Sequence, residues 1–147
     1  MHSFEKEDPR IKERVIAKNH FAFSFLSHMP IVPGHLLICP IRVVETCEEL
    51  DHEEWKGILE LKYQVCQALK KALGAKGFNF AWNQGKNAGQ SVPHFHLHVV
   101  PRREGDTGIL NYEPRVFLYR PGTRAISPQE ELQQVAKLIK NYICSSA

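Results

Sequence analysis

The sequence has few cysteines, no long apolar run and little net charge, and each shortage excludes a class of protein. Its four cysteines lie far apart in 147 residues without a Cys-x-x-Cys pair, which disfavours a disulfide framework and a structural zinc site. No apolar segment approaches the roughly 20 residues that cross a bilayer, and the charged segment 1–14 lacks the apolar core of a secretory signal. The formal charge of +3 is too small for a nucleic-acid scaffold. We therefore expect a protein of the reducing cytoplasm with neither membrane nor nucleic acid as a partner.

The composition is that of an ordinary globular domain, with 43% hydrophobic and 24% charged residues. A chain of this length buries about two thirds of its unfolded surface, so it folds without a covalent or metal cross-link. We expect residues 1–147 to form a single domain.

Five segments have the apolar runs or alternation of β-strands, bounded by turn residues. They are 14–19, 20–26, 35–39, 77–83 and 94–100. Pro33-Gly34 predicts a turn before the third strand, and Pro101 is expected to end the fifth.

Two segments have the periodicity of amphipathic helices. The first is expected to begin after Asp51, with Glu54 completing a capping box, and to end at Gly74. The second, over 127–143, has Ser127 as its expected N-cap and Pro128 at its first position. The segment between, 107–126, is expected to be a long loop. Strands outnumber helices and pair consecutively, which favours an antiparallel α+β domain with one long helix and a C-terminal helix.

The fifth strand carries histidine at alternate positions, His94, His96 and His98. Alternate side chains of a strand share a face, so the three imidazoles are expected on one side and the intervening apolar residues in the core. A chain of this composition would contain such a pattern by chance about 0.02 times.

The histidine pattern is compatible with three roles. A structural role would require a hydrogen-bond partner for each buried ring. A zinc site would need a further carboxylate or thiolate, and the nearest candidates, Glu104 and Asp106, lie beyond Pro101. We favour chemistry at an anionic phosphorus centre, because neutral imidazole is a nucleophile near pH 7 and Gly89-Gln90-Ser91 can present donors to phosphate oxygens.

The pattern resembles the signature of the histidine triad family, His-φ-His-φ-His-φ-φ with φ apolar, which His94–Val100 matches at every position. Pro33-Gly34-His35 matches a second family element. The segments Ile31–Pro40, Ala88–Val92 and Pro101–Asp106 are most similar to the fragile-histidine-triad branch. The similarity extends over about residues 14–106.

The resemblance implies a homodimer of α+β subunits that share a continuous sheet. It also implies hydrolysis of dinucleoside polyphosphates at the α-phosphorus through a covalent nucleotidyl-histidine intermediate. No cofactor or resident metal is implied, although a divalent cation can accompany the polyphosphate. Two alternatives stay open: an adenosine 5'-phosphoramidase of the same family, and a nucleotide-binding signalling module with slow turnover.

Site residues follow from the same resemblance. His96 would be the nucleophile, with its Nδ1–H bonded to the His94 carbonyl, and His98 would donate to a phosphate oxygen. His94 and His35 would form a supporting hydrogen-bonded pair. The implied substrate-binding residues, besides His98, are Ser27, Asn83, Gly89, Gln90 and Ser91.

Some positions depart from the family pattern or have a second interpretation. Ser27-His28 stands where the branch often has asparagine, which affects the ribose contact. Asn83 and Gln90 could instead stabilise their loop. The aromatic residues that could form a wall for a purine, or lie in the core, are Phe4, Phe21, Phe23 and Phe25.

Overall fold

Five strands form one antiparallel sheet in the order β1-β2-β3-β5-β4 in a computed structural model that describes residues 3–106 and 126–143. The strands are β1 Val15–Lys18, β2 Ala22–Leu26, β3 Leu36–Pro40, β4 Gly77–Ala81 and β5 Leu97–Arg102. The helices are α1 Pro9–Lys12, α2 His52–Leu73 and α3 Gln129–Lys140, and short 3-10 turns span Cys47–Glu49 and Lys86–Ala88. This confirms the expected antiparallel α+β fold. No helix within the described part of the chain is long and apolar enough to cross a membrane.

The central strands β2 and β3 are buried on both faces, which explains their nearly continuous apolar sequences. One face packs against α2 and α3 to form the main core, to which the helices contribute Ile58, Leu61, Val65, Leu69, Leu132 and Ile139. The other face carries a smaller cluster of Phe4, Ile11, Phe23, Phe25, Leu37 and Cys39. Two buried faces on one sheet leave little apolar surface exposed at its centre.

Helix α2 has the ends that its sequence predicts. Asp51 accepts a hydrogen bond from the Glu54 amide at 2.8 Å, and Glu54 Oε1 accepts one from the Asp51 amide at 3.0 Å. Gly74 ends the helix with a left-handed φ of 67°. Glu54 also binds Arg42 at 2.6 Å, so a single carboxylate caps α2 and ties it to the chain that follows β3.

The turn before β3 depends on Gly34, which has φ of 91°. A Cβ atom there would lie 2.5 Å from Leu73 Cδ1 and 3.1 Å from Pro101 Cγ. A side chain at this position would therefore force Leu73 to move and would also be strained by the positive φ. His35 follows this close contact directly and precedes the first residue of β3.

The fifth strand differs from the expected range at both ends. It begins at Leu97 because the preceding segment is bonded to a loop, through the Phe95 amide and the Val44 carbonyl at 2.6 Å. It continues through Pro101 to Arg102, where Pro101 pairs with Phe78 of β4. The pairing of β3 with β5 extends only to Val99, so Pro101 has β4 as a neighbour but not β3. On the side of β3 no ladder hydrogen bond requires an N–H from Pro101, so proline is tolerated there.

Helix α3 begins at Gln129, not after a Ser127 cap as expected. Pro128 has an extended ψ of 142° and occupies the cap position without a side-chain hydrogen bond. The Ser127 amide instead donates to the His28 carbonyl at 2.9 Å, which ties this residue to the connection between β2 and β3. Helix α1, capped by Asp8, was not predicted. The expected loop at 107–126 lies outside the described residues except for Ile126.

Candidate active site

A cavity of about 590 Å³ lies beside β2, β3 and β5 and contains four of the expected site residues. They are Ser27, Ser91, His96 and His98. Leu37 and Phe25 also contribute to its wall, together with Phe4 from the amino-terminal segment. A larger cavity of about 940 Å³ runs along α2, but its described wall holds none of the expected site residues. The smaller cavity is therefore the candidate active site.

His96 presents one ring nitrogen to this cavity with its protonation defined by a hydrogen bond. Its Nδ1 lies 2.8 Å from the His94 carbonyl oxygen. A carbonyl can only accept, so the proton of neutral His96 is on Nδ1 and the lone pair is on Nε2. Within the described residues Nε2 has no bonding partner, while every fully buried side-chain nitrogen and oxygen has one, so Nε2 is open to the cavity. Burial lowers the pKa of His96, which keeps the ring neutral.

His98 has the opposite tautomer. The Ile31 amide donates to His35 Nδ1 at 3.0 Å, so the proton of neutral His35 is on Nε2. His35 Nε2 lies 3.0 Å from His98 Nδ1 and donates to it. Neutral His98 therefore carries its proton on Nε2, as a donor. The centroids of the His96 and His98 rings are 5.2 Å apart. The lone pair of His96 Nε2 and the N–H of His98 Nε2 therefore belong to adjacent rings in the wall of one cavity.

The expected hydrogen-bonded pair between His94 and His35 is wrong. His98 is the register partner of Leu37, and His35, two residues before Leu37, is its diagonal neighbour on the same face of the sheet. His94 lies at the other end of β3, where its Nε2 donates to the Pro40 carbonyl at 2.7 Å. Strand register thus pairs His35 with His98 and not with His94.

The expectation that all three imidazoles share one strand face is only partly right. His96 and His98 are neighbours, but His94 and His96 both precede β5. The His94 ring is fully buried and accepts a hydrogen bond on Nδ1 from the Phe4 amide at 2.9 Å. Burial also lowers the pKa of His94. Every hydrogen-bonding atom of this ring is therefore engaged, as a buried imidazole requires.

The loop before Ser91 uses its amide side chain internally. Gln90 Oε1 accepts from the Gly85 amide at 2.8 Å, and Gln90 Nε2 donates to the Glu45 carbonyl at 2.9 Å. Asn83, Gly89 and Gln90 are not among the described residues that line the cavity, whereas Ser91 is. The loop-stabilising interpretation of Gln90 fits this geometry better than a phosphate contact.

Ser27 lies in the cavity wall at the end of β2. Its amide donates to the His35 carbonyl at 2.9 Å, and its hydroxyl accepts from the Met29 amide at 3.2 Å. These bonds hold Ser27 in the wall of the cavity that His96 and His98 also line.

Two residues in the wall have roles that the sequence did not reveal. Phe4 was only one of four candidate aromatic residues, yet its ring contacts His96 edge-on, with 5.2 Å between the centroids. Arg14 is buried, and its guanidinium donates to the carbonyls of Arg10 and Leu26 at 2.5–3.0 Å. No local pattern distinguishes either residue, because their positions depend on how the amino-terminal segment crosses the sheet.

Within residues 3–106 and 126–143, no three His, Cys, Asp or Glu side chains come together as a metal site would require.

Comparison with known proteins identifies the class to which this site belongs. A model of the HIT domain matches residues 8–105, well over half of the chain. The chain therefore belongs to the histidine triad family, and the match confirms the resemblance noted from its motifs.

Similar proteins within this family include two named nucleotide hydrolases and one solved structure. The chain is 30% identical over 95 residues to the bis(5'-adenosyl)-triphosphatase of Dictyostelium discoideum, a match that covers 65% of this chain and 64% of that protein. It is 31% identical over 96 residues to the asymmetrical bis(5'-nucleosyl)-tetraphosphatase of Schizosaccharomyces pombe, covering 65% of this chain and 53% of that protein. The match spans less than two thirds of the length of either relative. The crystal structure of the Plasmodium falciparum diadenosine triphosphate hydrolase in complex with Cyclomarin A is similar, with a TM-score of 0.73 and 28% identity over 90% of this chain and 77% of that chain.

Proposed function

We propose that the chain is a nucleotidyl hydrolase that cleaves dinucleoside polyphosphates at the α-phosphorus through a nucleotidyl-His96 intermediate. The observation that carries this proposal is the pair of opposite tautomers, His96 with a lone pair and His98 with a proton, at one cavity. A nucleophile beside a donor is the arrangement that displacement at an anionic phosphorus centre requires. The named activities of the two similar proteins support the choice of substrate class.

The proposed first step transfers the nucleotidyl group to the protein. His96 Nε2 forms a bond to the α-phosphorus as the bond from phosphorus to the bridging oxygen breaks, and the remaining nucleotide leaves with that electron pair. The ring gains positive charge, which the Nδ1–H bond to the His94 carbonyl stabilises. In this proposal His98 Nε2–H donates to a non-bridging oxygen and the Ser91 hydroxyl lies near the leaving oxygen.

The second step releases the product and restores the site. Water attacks phosphorus, the P–N bond returns its electron pair to Nε2, and a nucleoside monophosphate and a proton leave. Ser27 is proposed to contact the ribose from the wall of the cavity. The reaction needs no resident cofactor, although a divalent cation can accompany the polyphosphate, and we place it in the cytoplasm.

Trapping of the intermediate tests the identity of the nucleophile. Protein quenched during turnover of diadenosine triphosphate should carry one nucleotidyl group on His96, located by peptide mass spectrometry. His96→Asn should lack the adduct and lose activity by about three orders of magnitude or more. His52→Asn, which changes an exposed histidine at the start of α2, serves as the matched control. An adduct that persists in His96→Asn would refute the assignment.

A substrate panel tests the bond that is cleaved. We expect a higher kcat/KM for diadenosine tri- and tetraphosphate than for an adenosine phosphoramidate. The reverse order would make the chain a phosphoramidase, and tight binding with negligible turnover of every substrate would favour a nucleotide-binding module.

We also propose a homodimer formed through the edge of the sheet at β4. Large apolar side chains are exposed at this edge, Phe80 and Trp82 at 41%, and on helix α2, Leu59 at 47% and Tyr63 at 69%. Helix α2 contacts β4 where Lys62 Nζ lies 4.2 Å from the centroid of the Phe80 ring. A second copy paired along β4 would cover these apolar side chains and extend the sheet across both subunits. Light scattering should give twice the chain mass, and Trp82→Glu should halve it. Leu138→Glu, an exposed leucine on α3, should not change the mass.

A further inference from the structure

The amino-terminal segment meets the histidine cluster through its backbone. The Phe4 amide donates to His94 Nδ1 at 2.9 Å, across 90 positions of sequence. On the opposite side of the ring, His94 Nε2 lies 2.7 Å from the Pro40 carbonyl. His94 is thus held between a backbone donor and a backbone acceptor from two distant segments.

These two contacts allow only one protonation state of the His94 ring. The carbonyl of Pro40 requires a proton on Nε2, and the amide of Phe4 requires a lone pair on Nδ1. A second proton on Nδ1 would face the Phe4 N–H, donor against donor, in a fully buried position. The backbone of Phe4 therefore favours a neutral His94 and selects its tautomer.

The same residue adjoins the proposed nucleophile. The His94 carbonyl accepts the Nδ1–H of His96 at 2.8 Å, so the orientation of residue 94 determines that of His96. The Phe4 ring packs on Phe25, with 5.1 Å between centroids, and meets His96 edge-on at 5.2 Å. These contacts hold the segment against the site without a covalent link.

We propose that the main-chain N–H of Phe4 is a positioning group of the active site, which holds His94 as the neutral Nε2–H tautomer and thereby keeps His96 aimed and nucleophilic. This inference rests on the proposed function only in treating His96 as the nucleophile. The amino-terminal segment then acts as a part of the catalytic apparatus through the backbone N–H of Phe4, while the Phe4 ring holds that backbone in place.

Charge explains why neutrality of His94 matters for His96. A positive charge on His94 would lower the pKa of His96 further and weaken the attacking nitrogen. Among the described residues, the charged group that acts on His94 in the opposite sense is the carboxylate of Glu5, and the backbone of Pro40 and Arg42 also favours the protonated ring. The Phe4 amide opposes all three. Its removal should let His94 take up a proton at higher pH.

Proline at position 4 removes the amide hydrogen and no other donor. The test compares Phe4→Pro with Phe4→Ala in the full chain, because both lack the aromatic ring and only the alanine variant keeps the N–H. Ser3→Pro is the control for a proline in this segment, since it leaves the Phe4 amide in place. Each protein is examined by ¹⁵N NMR of the imidazoles over a pH series and by the pH dependence of kcat.

The wild-type protein and Phe4→Ala should show His94 protonated on Nε2 and unprotonated on Nδ1. Phe4→Pro should raise the titration midpoint of His94, shift the acid limb of kcat to higher pH and lower kcat about tenfold or more relative to Phe4→Ala. Ser3→Pro should match the wild type in tautomer and in acid limb.

Two results would overturn the proposal. One is a proton on Nδ1 of His94 in the wild type, a measurement that holds even if Phe4→Pro does not fold. The other is equal kcat and equal acid limbs for Phe4→Pro and Phe4→Ala. If the predicted tautomer is found but no adduct forms on His96, the proposed function fails while the contact between Phe4 and His94 stands.

Discussion

Substitution of Gly34 by alanine should destabilise the protein much more than the same change at Gly74. Both glycines have positive φ, 91° and 67°, so alanine at either position adopts a backbone conformation that costs about 1–2 kcal/mol. The positions differ in what surrounds the new methyl group. At Gly34 it would lie 2.5 Å from Leu73 Cδ1 and 3.2 Å from Leu69 Cδ2, whereas at Gly74 nothing lies within 4 Å.

The steric contribution can be isolated by difference. Forcing a methyl group into packed surroundings costs about 1–3 kcal/mol, so we expect Gly34→Ala to lose about 2–5 kcal/mol and Gly74→Ala about 1–2 kcal/mol. Urea denaturation at equal pH gives both free energies of unfolding. A second change, Leu73→Ala, should recover part of the loss in Gly34→Ala because it removes the nearest clashing atom.

The same substitution should affect activity through its neighbour. Gly34 precedes His35, which donates to His98 at 3.0 Å, so a displaced turn should lower kcat in Gly34→Ala but not in Gly74→Ala. Equal losses of stability in the two variants, or no recovery with Leu73→Ala, would refute the argument from close contact.

Two further predictions concern ionisable groups. The hydrogen bond from Arg42 lowers the pKa of Glu54, so the ion pair should stabilise the folded state above about pH 4.3 and cease to do so as pH falls through the lowered value. Glu54→Gln, which can keep the capping box, should therefore cost about 0.5–1 kcal/mol at pH 7 and little in acid, measured by urea denaturation at both pH values; an equal cost at low pH would contradict this. Burial lowers the pKa of both His94 and His96. The midpoint of the acid limb of kcat/KM should therefore lie at a pH lower than about 6.5, the ordinary pKa of histidine. The free energy of unfolding should also decline as the pH falls through about 6.5, because the unfolded chain takes up these protons before the folded chain does. An acid limb above pH of about 6.5 would show that the nucleophile is not a buried imidazole.

The sequence predicted correctly those helix ends that depend on residues close by in the chain. The capping box of Asp51 and Glu54 and the left-handed Gly74 are both present, since each involves atoms within one or two turns of chain. The boundaries of β5 and α3 were misplaced because non-local bonds decide them, from Phe95 to Val44 and from Ser127 to His28.

In the candidate site, too, the local contacts were predicted and the non-local ones were not. Spacing on the chain placed His96 beside His98, and the family resemblance proposed the bond from His96 Nδ1 to the His94 carbonyl, a contact between residues two apart. The predicted pairing of His35 with His94 is wrong, because strand register sets His35 beside His98. The contact of His94 with Phe4 was not predicted, because it depends on the path of the amino-terminal segment.

The sequence alone thus predicted that His96 and His98 share one side of the chain, because side chains in extended backbone alternate with a period of two. Only the tertiary structure decided where each proton resides. A ring nitrogen is a donor or an acceptor according to the atom opposite it, and for His35 and His94 those atoms include Ile31 N, Pro40 O and Phe4 N, which come from distant or irregular segments that no local pattern aligns.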